Sequence, residues 1–198
     1  LAEVRQGSAD FNEALGWRCF LDVLLGLQFM HVSARVMHRD LKSANVLVVS
    51  RETGRVKLSD FGLAKIKTSS RSSATGAGGV AGTVSWSAPE VLKRWPRHSF
   101  AADVYSAGMV LYEIVSCEAP FAGRDVWDIR SAVEAGDRPR LPELCPDQAR
   151  SLVERLWEHY PEKRLPLRDA IVEVEALLAA ATVAHEPSPQ NVEVEALL

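Results

Sequence analysis

The chain lacks any apolar run approaching a membrane span. The longest, Val23–Met30 and Leu177–Ala184, fall far short of the ~20 residues a bilayer requires. Leu1–Asp10 carries two acids and no apolar stretch, unlike a signal peptide. Cysteine is scarce: Cys19, Cys117 and Cys145 are odd in number and widely spaced. That pattern suggests neither a disulfide framework nor a zinc site, so a reducing, cytoplasmic setting is expected. An excess of one charge is lacking too. Lys plus Arg total 23 and Asp plus Glu 26, a net charge of −3, which argues against nucleic-acid binding by bulk charge. The chain begins with Leu1, and its first methionine is Met30. What is present is an ordinary globular composition, 47% hydrophobic and 25% charged over 198 residues. Such a chain can bury roughly 70% of its unfolded surface. The heptapeptide Val172–Leu178 recurs as Val192–Leu198, too short and isolated to signal a repeat fold.

Periodicity supplies the elements. Leu15–Ala34 sets Phe20, Val23, Leu24, Leu27, Met30 and His31 three and four apart, an amphipathic helix with one buried face. Val36–His38 is at most a strand fragment. Asn45–Val49 and Arg55–Ser59, joined through Ser50–Gly54, read as a small hairpin. Thr68–Gly82 is mostly Ser, Gly, Ala and Thr and reads as a mobile loop. Asp103–Ser116 is apolar on nearly all sides, so a buried helix is expected, with Asp103 at its start favouring the positive end of the macrodipole. Further helices are expected over Asp125–Ala135, Asp147–Tyr160 and Leu167–Ala184, and a frayed tail after His185. The tryptophans are expected to serve core or rim packing rather than binding. The architecture is therefore mainly α (α+β), with one small hairpin and no full sheet.

The informative stretch is His38-Arg39-Asp40-Leu41-Lys42-Ser43-Ala44-Asn45. Asp60-Phe61-Gly62 follows fifteen residues beyond Asn45, and then Ala88-Pro89-Glu90. At average usage the five positions His38, Arg39, Asp40, Lys42 and Asn45 coincide on the order of once in a few million starts. Together the segments resemble the catalytic loop, metal-binding triplet and activation-segment end of protein kinases. The resemblance runs from about Leu15 to Leu178 and is nearest to Ser/Thr kinases of the tyrosine-kinase-like group. Lys42 stands where Ser/Thr enzymes carry Lys, and Thr83 matches the Thr that touches the catalytic Asp and Lys. Asp103-Val104-Tyr105-Ser106-Ala107-Gly108 and Pro120-Phe121 match as well.

The resemblance implies transfer of the ATP γ-phosphate to protein hydroxyls, with ATP and Mg²⁺ as cofactors and protein substrates as partners. It makes Asp40 the residue that accepts or orients the substrate hydroxyl and sets Lys42 on the γ-phosphate. Asn45 and Asp60 hold Mg²⁺, which prefers hard oxygen ligands. Gly62 lets the backbone turn after the metal ligand, beside Phe61. His38 shapes the loop, Asp103 holds its backbone, and Glu90 pairs with Arg164 as a buried structural ion pair. Arg39 implies binding of a phosphorylated residue in the activation loop, for which Thr68, Ser69, Ser70, Ser72, Ser73 and Thr75 are candidates. An upstream activating kinase is then a partner.

A glycine-rich loop, a strand Lys and a helix Glu are also expected of a kinase. No G-x-G-x-x-G occurs; Gly76-Ala77-Gly78-Gly79 lies within the activation segment, and only about 14 residues precede the first helix. The expectation is a protein-kinase-like C-terminal lobe over residues 1–184, a tail over 185–198, and no N-terminal ATP-binding lobe. It belongs either to a fragment of a complete kinase or to a lobe completed by another chain. The alternative is a catalytically silent interaction or regulatory module.

Overall fold

The computed structural model describes residues 13–60, the backbone of 65–66, and residues 83–184. Helix α1, Glu13–Gln28, buries Trp17, Phe20, Val23, Leu24 and Leu27 along one face. The next turn widens. Phe29–Ala34 is a π-helix that Arg35 closes in the left-handed region at φ 57°. The wider turn keeps the adjacent Met30 and His31 both buried while Phe29 and Val32 project outward. Single π turns of this kind often occur where function demands a side chain out of step.

Strands β2, Val46–Ser50, and β3, Arg55–Leu58, pair antiparallel as the expected hairpin, with Val46 opposite Leu58. The expectation of a single hairpin needs correction. A second two-stranded sheet pairs β1, Val36–Met37, with β4, Lys65–Ile66. Two-residue strands are too short to show a period of two. The hairpin is fastened to α1 at its turn. Gly54 adopts φ +65°, and a Cβ there would lie 2.9 Å from the carbonyl oxygen of Leu15. Cys19 Sγ donates to the Gly54 carbonyl at 3.0 Å; burial pushes its pKa up to about 11, so it stays a protonated donor. Asp22 accepts from Arg55 Nε at 2.7 Å and from Val56 N at 3.1 Å.

The single-turn α2, Pro89–Leu92, precedes the central helix α3, Phe100–Ser116. Tyr105, Ala107, Met109, Val110 and Leu111 on α3 have no exposed surface. The helix begins before Asp103. Its cap is Ser99, whose hydroxyl accepts from Ala102 N at 3.2 Å, so the role of Asp103 is not to cap it. α3 packs on α1 and on α5, Asp147–Leu156. At Gly108 a Cβ would stand 2.9 Å from the Cβ of Leu156, which sets how closely the two helices approach. α5 ends before the expected Tyr160: the Arg155 carbonyl, which a longer helix would offer to His159 N, accepts instead from Leu165 N at 3.0 Å, and His159 N turns to the Glu158 carboxylate at 3.0 Å. The carbonyls past its end are engaged by side chains. Arg138 Nε takes that of Trp157, and Arg164 takes those of Glu158 and His159. Between α3 and α5 lies α4, Val126–Ala135, capped by Asp125 through Trp127 N and Asp128 N. α6, Leu167–Ala184, lies along α1, and Arg155 pairs with Glu173 to clip α5 to it. Trp17 and Trp157 are buried and Trp86 packs against the core, while Trp95 and Trp127 stand exposed. Among the described residues, no helix is long and apolar enough to cross a membrane.

Gly54→Val is expected to cost about 1–3 kcal/mol, from a left-handed backbone forced on a β-branched residue and a clash with backbone rather than with a flexible side chain. A urea midpoint equal to wild type at unchanged slope would show that the turn tolerates a side chain.

Candidate active site

The stretch His38–Asn45 links β1 to β2, and one carboxylate on α3 holds it. Asp103 Oδ2 accepts from His38 N and Oδ1 from Arg39 N, each at 2.9 Å. His31 Nε2 lies 2.7 Å from the same Oδ2, and its ring rests against Phe100 at 4.4 Å. Asp103 is buried, so these bonds compensate a charge that would otherwise be costly to desolvate. Arg39 takes φ 69° under this hold, and Asp60, just past the hairpin, takes φ 58°. Arg39 immediately precedes Asp40 within the loop, and Asp60 follows β3. Strained φ values of this kind cluster at functional sites.

Past that anchor, the side chains converge on Asp40. Lys42 Nζ donates to Asp40 Oδ2 at 2.9 Å and to Thr83 Oγ1 at 3.0 Å. Asn45 Nδ2 donates to the Asp40 carbonyl at 2.7 Å and to Oδ2 at 3.1 Å. Oδ2 is thus engaged twice, whereas Oδ1 has no partner among the described residues. Because both acceptors of the Asn45 amide are oxygens, its nitrogen must face them, and its own oxygen points elsewhere. Ser59 N donates to the Asn45 carbonyl at 2.9 Å, which ties the end of β3, and with it the exposed Asp60, to this loop.

Two further contacts fix the surroundings. Glu113 on α3 accepts from Ser43 Oγ through Oε1 and from Trp86 Nε1 through Oε2, both at 2.7 Å. Burial raises the Glu113 pKa against those two hydrogen bonds. Glu90 on α2 meets Arg164 in a bidentate pair, 2.7 Å at each oxygen. Arg164 also donates to the carbonyls of Ala101, Glu158 and His159, so all five of its N–H groups are engaged. Phe61 and Gly62, and the candidate phosphosites Thr68, Ser69, Ser70, Ser72, Ser73 and Thr75, lie outside the described residues.

Sequence reasoning missed Glu113 and the partner of His31. A signal existed for both. Glu113 and Asp103 are the only acids in a helix apolar all round, and His31 falls on the buried face of the first helix. A buried polar group needs a partner.

The donor set suits a hard cation. Among the described residues no cluster of three His, Cys, Asp or Glu side chains can hold a metal. One amide oxygen from Asn45 and one exposed carboxylate from Asp60 match what Mg²⁺ takes from protein when phosphate and water complete its shell.

A family model of the protein kinase domain matches residues 1–174. The chain belongs to the protein kinase family. It is 39% identical over 148 residues to the serine/threonine/tyrosine-protein kinase HT1 of Arabidopsis thaliana, covering 74% of this chain and 36% of that protein. It is 34% identical over 168 residues to the dual specificity protein kinase shkA of Dictyostelium discoideum, covering 83% and 31%. With shkE of the same organism the identity is 36% over 149 residues, covering 73% and 20%. The chain thus spans between 20% and 36% of the length of these relatives.

The buried groups set two expectations. Arg164→Ala leaves Glu90 as an uncompensated buried charge and should remove about 3–5 kcal/mol of stability. A loss below ~1 kcal/mol in denaturant titration would contradict the coupling. The His38 imidazole is fully buried, which lowers its pKa from 6.5 despite the attraction of Asp103 and Asp40. The unfolded chain binds that proton near pH 6.5 while the folded chain resists it, so stability is whole above about pH 6.5 and falls below it. The denaturation midpoint should drop between about pH 7.5 and 5.5, and by less in His38→Tyr. Equal drops in the two proteins would rule His38 out as a source.

Proposed function

We propose that residues 1–184 form the catalytic C-terminal lobe of a Ser/Thr protein kinase of the tyrosine-kinase-like group, with residues 185–198 as a tail. Such an enzyme moves the ATP γ-phosphate to hydroxyls on proteins. The observation that carries this is the asymmetry of Asp40: Oδ2 is held by Lys42 and Asn45, while Oδ1, buried, has no partner among the described residues and is the acceptor that a substrate hydroxyl would satisfy. The hydroxyl oxygen attacks the γ-phosphorus, its proton passes to Asp40, and the bond to the ADP oxygen breaks.

Lys42 lies between Asp40 and Thr83 and is partly exposed, so its charge reaches the transferring phosphate while its position stays fixed. Asn45 and Asp60 are the Mg²⁺ ligands; the ion, when bound, neutralises phosphate charge. Arg39 supports regulation by phosphorylation, since its Nε has no partner among the described residues. The phosphorylated residue would come from Thr68–Thr75, by this kinase or an upstream one. Protein substrates and a cytoplasmic setting belong to the same proposal.

An apolar groove of about 890 Å³ supports the lobe assignment. Leu25, Phe29, Met30, Val49 and Leu58 line it, and in a two-lobed kinase a further lobe would cover such a surface. The same groove favours a second reading, a regulatory module that docks a partner there without catalysis.

In the full-length protein, Asp40→Ala and Asp60→Ala should each lower phosphotransfer to a protein substrate by about 10²–10⁴-fold or more with the fold retained by circular dichroism. Activity within about tenfold of wild type in either variant would refute the assignment.

A further inference from the structure

Between α2 and α3 run Lys93-Arg94-Trp95-Pro96-Arg97-His98, six consecutive exposed residues. Three bear permanent positive charge and none is acidic, in a chain of net charge −3. Among the described residues Lys93, Arg94 and Arg97 enter no ion pair. Arg94 instead stands 5.7 Å from the ring centre of Trp95, which is 78% exposed.

A cationic run on its own is most often solvated surface. Three observations separate this one from that. It is held rather than loose: Arg97 N donates to the Glu90 carbonyl at 3.0 Å, Arg164 locks Glu90, and Ser99 starts α3 at the other end. Its centre is a bare indole, a side chain that binding surfaces favour and solvated runs do not need. Finally, it adjoins the site. His98 and Ser99 line the same pocket as Arg39, Asp40 and Thr83. The shared cavity is small, about 10 Å³, and through His98 the exposed run ends beside the loop that carries Asp40.

We propose that Lys93–His98 is a substrate-docking surface for Asp/Glu-rich segments of protein substrates. Lys93, Arg94 and Arg97 meet the carboxylates, and Trp95 covers the apolar stem between them. The proposal rests on the reading of Asp40 as the group that meets the substrate hydroxyl, and it names the substrate class of that site. Unpaired cations around a fixed indole give selectivity by charge and a faster encounter, both screened by salt.

The test uses the full-length protein and two fluorescent peptides with one central Ser, flanked in one by Glu and in the other by Gln. By anisotropy, wild type should bind the Glu peptide at least about tenfold more tightly, and added salt should erode the difference. Combined Lys93→Glu, Arg94→Glu and Arg97→Glu should abolish the preference, raise KM for the Glu peptide about tenfold or more, and leave its kcat and the KM of the Gln peptide unchanged. The milder triple change to Gln, checked by circular dichroism, should lose the same preference if charge reversal harms the fold. Trp95→Ala should weaken both peptides in proportion. Equal binding of the two peptides, a preference that survives both triple variants, or tighter binding of a phosphopeptide or a single-stranded oligonucleotide than of the Glu peptide would overturn the proposal. If wild type phosphorylates neither peptide, the phosphotransfer reading fails, while the anisotropy comparison still decides the docking surface.

Discussion

The geometry of this molecule depends on the buried carboxylate of Asp103. A charge at 2% exposure inside an otherwise apolar helix is tolerable only with donors at hand. It obtains them from two successive backbone amides, His38 and Arg39, and from the His31 side chain. The need runs both ways. The carboxylate is stabilised by the loop, and the loop is drawn into a left-handed residue it would not adopt unaided. α3 is wrapped by α1 and α5, so Asp103 inherits the rigidity of the core and passes it to the residues around Asp40.

Two kinds of ion pair divide the remaining task. Glu90 and Arg164 are buried, bidentate and fully hydrogen-bonded, a joint with one arrangement. Lys42 and Asp40 are joined at a single oxygen, and the Lys42 side chain is 20% exposed. That pair, unlike the first, is partly open to solvent through its cationic side chain. The fixed joint secures α2 and the segment leading to α3, and the more open one lies where chemistry is proposed.

Much of this was legible in the residues because the chemistry demands particular types at particular spacing. Asp40, Lys42 and Asn45 converge from within six positions, α1, α5 and α6 follow from three-four spacing, and α3 from being apolar on nearly all sides. What escaped was set by contacts across the chain. β1 and β4 are two residues each and leave no periodic trace. Ser99, not Asp103, caps α3, because Asp103 has a long-range task that local propensity cannot express. α5 stops early because Leu165 N, returning from beyond the next turn, takes the Arg155 carbonyl. Glu113 could be seen as a buried acid, but its partners lie 70 and 27 residues away.

Glu113 works as a gauge. Its two oxygens face different segments, one the loop through Ser43 and the other the turn before α2 through Trp86. The gap between those segments therefore equals the width of one carboxyl group plus two hydrogen bonds. An amide could keep both contacts only with its oxygen on Trp86 and its nitrogen donating to Ser43, whose hydroxyl proton would then need another acceptor, while Asp is one methylene too short to span from α3. Three positions separated along the chain, 43, 86 and 113, thus behave as a single stereochemical unit. A change at any one of them leaves a polar group of the other two to find a new partner.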